Sequence, residues 1–164
     1  MTNMPKVTLV KKAMKDYPEA GIKKGEPYYW WKFRFGPKHY SKTPPKPQQL
    51  TQSDFLQRLY DIQDALAAVS GETGDELQAE VDNIKADLQE LADECTEKHD
   101  NMPEGLQDGD TGQLLQDRAE ALEGAIGELD AIDFEVDEGL SAEEQQARIQ
   151  EIIDEIQGVG LDAE

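Results

Sequence analysis

A chain of 164 residues, 37% of them apolar and 32% charged, is long enough for one modest core, and its formal charge of −20 goes well beyond what solubility needs. One cysteine excludes an internal disulfide framework, and no apolar run approaches the roughly 18 residues of a membrane span, so a reducing cytoplasm and no membrane role are expected. The charge is divided: residues 1–50 hold 11 Lys/Arg against 3 Asp/Glu, and residues 51–164 hold 5 against 33, which places the two segments near +8 and −28.

In chain order, Val7, Leu9 and Val10 suit a short strand, and Asp16-Tyr17-Pro18 is a break. The run Glu26 to Phe35 is dominated by aromatics that favour strands. Its period-2 split puts Tyr29, Trp31, Phe33 and Phe35 on one face and Tyr28, Trp30, Lys32 and Arg34 on the other. Gly36-Pro37 supplies a turn, and Lys38 to Thr43 returns as a second strand, which predicts a twisted hairpin. Pro44-Pro45-Lys46-Pro47 closes the module as a stiff linker.

Beyond the linker, Thr51 or Ser53 can cap a helix whose apolar residues, Phe55, Leu59, Ile62, Leu66 and Val69, recur at alternating intervals of four and three. The same seam spacing returns in Leu77, Val81, Ile84, Leu88, Leu91 and Cys95. The short glycine-bearing connector Ser70 to Gly74 predicts that these two helices pair antiparallel. A break around Pro103 follows, then a seam of Leu115, Ala119, Leu122, Ile126 and Leu129. A last helix is opened by the capping box Ser141-Ala142-Glu143-Glu144 and carries Ile149, Ile152, Ile153 and Ile156. The expected fold is mainly α. Antiparallel helical hairpins form a coiled-coil-like bundle over residues 51–164, with helices near 53–69, 75–99, 112–131 and 142–157, after a small N-terminal basic β-hairpin module over residues 1–47.

Two strings, Lys23-Lys24-Gly25-Glu26 running into Tyr28 to Gly36 and Ser41 to Pro45, and Asn101-Met102-Pro103 followed by Leu106-Gln107 and Thr111 to Gln116, carry a resemblance. Across residues 5–132 the chain resembles small uncharacterised acidic proteins of tailed bacteriophages. The resemblance implies a phage origin, and with it the host cytoplasm, and no defined activity. The lysine-glycine-glutamate step before an aromatic strand is also similar to the strand of small zinc ribbons, but the paired cysteines such a domain needs are absent, which rejects a structural zinc.

Four constellations bear on chemistry. Tyr28, Trp30, Lys32, Arg34, Lys38 and Lys42 are candidates for stacking on bases and neutralising phosphates, so nucleic acid is a candidate partner through residues 23–46; the alternative is that the aromatics are core. Asp133, Glu135, Asp137 and Glu144 fall at positions 1, 3, 5 and 12 of a calcium loop, but Glu138 stands where the turn glycine belongs, and an acidic loop before a capping box explains the same residues. Cys95 and His99, four apart, offer two metal ligands and no third, and Cys95 is more simply a seam residue. Glu80, Asp87, Glu90, Asp93 and Glu94 form an acidic helical face that can imitate the phosphate rows of a duplex for a basic host protein, the alternative being a solvated acidic bundle. The equal seams also suit a homodimer. Neither a nucleophile–base pair nor a phosphate loop is visible, so the chain reads as non-enzymatic, without cofactor, acting as an inhibitor or anti-defence protein. The alternative is a nucleic-acid-binding hairpin dimerised or tethered by acidic helices.

Overall fold

The computed structural model describes residues 4–163, which form two compact units that divide between Gln57 and Arg58. The first holds a three-stranded antiparallel sheet of order β1-β2-β3, with β1 Thr8–Val10, β2 Tyr28–Lys32 and β3 Lys38–Ser41. The expected two-stranded hairpin is therefore extended by the N-terminal strand, whose Thr8, Leu9 and Val10 stand opposite Trp30, Tyr29 and Tyr28. β2 stops at Lys32, three residues short of the predicted Phe35. Pro37 has no N–H to give a ladder, so pairing ends at Lys32 opposite Lys38, and Phe33 to Pro37 becomes a wide tip in which Gly36 takes a φ of 136°.

The segment between β1 and β2 folds back over one sheet face. Ala13, Ile22 and Tyr28 are buried together, flanked by Val10, Tyr17, Ala20, Trp30 and Tyr40. Tyr17 stacks on Tyr40 at 4.6 Å between ring centres and tilts against Tyr28 at 5.3 Å. On the opposite face Trp31 is buried and stacks on His39 at 5.5 Å.

Five helices follow: α1 Asp54–Ala67, α2 Gly74–Asp100, α3 Glu104–Gln107, α4 Asp110–Asp130 and α5 Ala142–Gln157. α1 starts in the first unit and continues into the second, its first turn capped by Ser53 Oγ, which accepts from the Leu56 N–H at 3.4 Å. α2 is capped by Thr73 and buries all six predicted seam residues plus Ala92. α3 lies inside the segment expected as a plain break. The most extensive backbone approach is between α2 and α4, where the sequence predicts α1 and α2 as the close pair. Side-chain size explains the difference. α4 turns Ala119 and Ala125 inward, small residues that let helix axes come together, beside the expected Leu122 and Leu129, which are fully buried, while Leu115 and Ile126 of the expected seam are only half-buried and Gly112 meets the backbone of Gln107 in α3. Lys85 of α2 meets Asp130 at the end of α4 at 2.7 Å. α5 opens on the expected Ser141/Glu144 capping box and buries Ile149, Ile152 and Ile156. The chain then continues to a buried Leu161, whose carbonyl accepts from Gln63 Nε2 at 3.1 Å.

Candidate functional site

On the helices, the carboxylates predicted as a docking face divide into two kinds. Glu90 and Glu94 are engaged from within the unit: the Arg58 guanidinium bonds Glu94 and lies 3.4 Å from Glu90, and Lys98 lies 3.7 Å from Glu94. Glu80 accepts from the Ser70 N–H at 3.2 Å. Asp87 and Asp93 are exposed, Asp93 holding only the neutral Gln89 amide. The other cations of residues 58–164 also point inward to partners. Lys85 bridges Asp82 and Asp130, Arg118 Nε donates to the Ala163 carbonyl at 3.1 Å, and Arg148 serves Asp133, Glu151 and Glu155. The two bonds to Lys85, Asp130's the stronger, raise its pKa above the ordinary lysine value. Outside these ion pairs, the carboxylates facing solvent number six on α2, five on α4 and three on α5.

Sequence reasoning did not foresee a groove of about 1080 Å³ between the first turn of α2 and residues 132–138. Six carboxylates line it, Glu72, Asp75, Asp133, Glu135, Asp137 and Glu138, with no lysine or arginine among its lining residues. Ile132, Phe134 and Val136 are half-buried while the acids between them are exposed, a period-2 alternation that the sequence carries and that signals an extended segment. The approach is close enough that a Cβ on Gly74 would collide with the Phe134 carbonyl oxygen.

The calcium-like positions do not converge. Asp133 accepts from the Glu135 N–H at 3.0 Å, and Asp137 accepts from the Gly139 N–H at 2.8 Å. Glu144 takes both the Ser141 N–H and hydroxyl at 2.9 and 2.8 Å, bonds that hold its carboxyl below the ordinary range. Cys95 is buried, which pushes its thiol up, and His99 Nδ1 lies 3.3 Å from Asp100. Among the described residues no three His, Cys, Asp or Glu side chains group to hold a metal.

In the sheet, two predicted contact residues have other work. Tyr28 is core, because the segment carrying Ala13 and Ile22 covers the face assigned to contact. A hydrogen bond between the Tyr17 and Tyr28 hydroxyls, with burial, pushes the Tyr28 pKa up to about 12. Lys42 pairs with Glu26 at 3.2 Å. Trp30 is half-buried, with Lys38 over its ring at 4.5 Å, while Lys32 and Arg34 are exposed. Phe35, expected beside Trp31, instead projects from the tip at 78% exposure, with Arg34 over its ring at 5.4 Å.

Among the described residues no helix is long and apolar enough to cross a membrane. Comparison with known protein families, with curated proteins and with solved structures finds no match to this chain.

Proposed function

We propose that this chain is a phage-type interaction protein that acts without turnover, docking its acidic helices on a basic host protein that handles nucleic acid or serves in defence, and so inhibiting it. The observation that carries this reading is the spending of cations: the five Lys/Arg of residues 51–164 all have intramolecular partners, and a segment charge near −28 is left to face outward. At 1.5 Å per residue α2 spans about 40 Å. The exposed carboxylates of α2, α4 and α5 that hold no cation then amount to about one per 3 Å of that length, against one charge per roughly 1.7 Å of a duplex axis. A basic groove built for phosphate rows meets more than half of that charge density. The finer architecture belongs to the same proposal. An antiparallel α1–α2 hairpin in a coiled-coil-like bundle is supported by the equal seams and by Arg58, near the start of α1, reaching Glu90 and Glu94 near the end of α2.

Charge reversal tests it, at positions that leave the Arg58 pairs intact. Asp87, Asp93 and Glu97 changed together to Lys should abolish capture of basic proteins from host extract, and duplex DNA should release from the parent protein whatever it has captured. Captured proteins that stay bound through both treatments would remove nucleic-acid mimicry as the mechanism.

A further inference from the structure

The three carboxylates of the first 50 residues all lie toward the beginning of β2. Asp16 accepts from the Lys24 N–H at 2.6 Å, Glu26 from the Lys23 N–H at 2.8 Å, and Glu19 sits in the 3-10 turn Pro18–Ala20. There Glu26 also pairs with Lys42, and its carboxyl is held below the ordinary range by the Lys23 N–H first and the Lys42 ammonium second. Among the described residues up to 50, the opposite end of the sheet has cations and no carboxylate. Lys32 and Lys38 face each other as the last β2–β3 pair, Arg34 lies in the tip, and Lys6 enters two residues before Thr8. Out of this end projects Phe35, the most exposed aromatic of the sheet.

We propose that this tip, with Lys6, Lys32, Arg34 and Lys38 around Phe35, binds single-stranded nucleic acid, one base stacking on the Phe35 ring while the cations follow the backbone. This goes beyond the acidic docking reading and does not rest on it. Chemistry selects the partner. A base stacked on an aromatic contributes about 1–3 kcal/mol whatever its identity, and a strand supplies phosphates at the spacing of a cation row. An anionic lipid surface is a poorer fit: one inserted phenyl ring brings only about 1.5–3 kcal/mol, and even a full myristoyl chain anchors marginally. A duplex hides its base faces. The acidic helices repel any polyanion, a repulsion that salt screens over about 8 Å at physiological ionic strength.

The test uses the intact protein, fluorescence anisotropy and a short labelled oligothymidylate titrated over a range of salt. Phe35→Ala should lower affinity about tenfold. Lys32→Gln with Arg34→Gln should make the logarithmic salt slope shallower by about 1.4, at roughly 0.7 per phosphate contact on a single strand. Lys23→Gln with Lys42→Gln, at the other end of the sheet, should change affinity less than twofold. The proposal is overturned if the parent fails to bind the oligonucleotide at low salt, if Phe35→Ala binds equally well, or if the opposite-end pair costs as much as the tip pair. Equal or tighter binding to a duplex overturns it too, as does binding to phosphatidylglycerol vesicles in place of the oligonucleotide.

Discussion

Tyr28 shows how one residue changes role when its cover arrives from elsewhere in the chain. Its hydroxyl is held by Tyr17 and its pKa stands at about 12 against 10.0 for the ordinary phenol. A folded-state pKa above the unfolded one means that the neutral phenol is the form the fold favours, so this contribution is whole below pH 10 and is lost as pH rises toward 12. Alkaline unfolding of the sheet, followed by near-ultraviolet circular dichroism, should therefore begin near pH 10, and Tyr28→Phe should flatten that limb. A limb identical in the variant would remove the hydroxyl pair as its cause. The carboxylates of residues 133–144 make the complementary case. Asp133, Asp137 and Glu144 already accept local N–H or hydroxyl donors, so calorimetry should find no saturable uptake at micromolar calcium. Tight uptake that vanished in Asp133→Ala would show that these bonds yield to a cation.

Among the elements, α2 bears most of the second unit. Leu77, Val81 and Leu88 are fully buried along one seam. Leu88→Ala should cost about 2–5 kcal/mol in chemical denaturation, the range for a leucine truncated in a core that cannot collapse around the gap. Unchanged stability would take the seam out of the core. The first turn of α2 carries a second constraint at Gly74, where an added methyl meets backbone, which cannot swing aside as a side chain can. Gly74→Ala should displace residues 132–138 and cost about 1–3 kcal/mol, whereas the same change at Gly124, with open space beside it, should stabilise α4 slightly through helix propensity. Equal effects at the two glycines would contradict the close approach.

For the whole molecule, charge is the dominant variable. Residues 51–164 carry 33 carboxylates against 5 cations, so the repulsions outnumber the ion pairs that salt also screens. The helical melting temperature should rise as salt is added from low ionic strength. A fall would show that Arg58, Lys85 and Arg148 pairs outweigh the repulsion.

The sequence by itself determined the four long helices and most of their inner edges, because heptad spacing and capping are local. The seam of Leu77, Val81, Ile84, Leu88, Leu91 and Cys95 is buried residue for residue, and Ser141 with Glu144 forms its box as spaced. It also determined the division of charge. Which helices approach most closely was decided only in three dimensions: Ala119 and Ala125, small residues turned inward beside Leu122 and Leu129, bring α4 closer to α2 than α1 comes, a comparison that no single helix pattern contains. The sheet was legible as aromatic alternation, but alternation is symmetric between its two faces. The Tyr28 face was covered by Ala13, Tyr17 and Ile22, residues without period, and Phe35 was left in solvent among cations because pairing ends at Lys32 before Pro37.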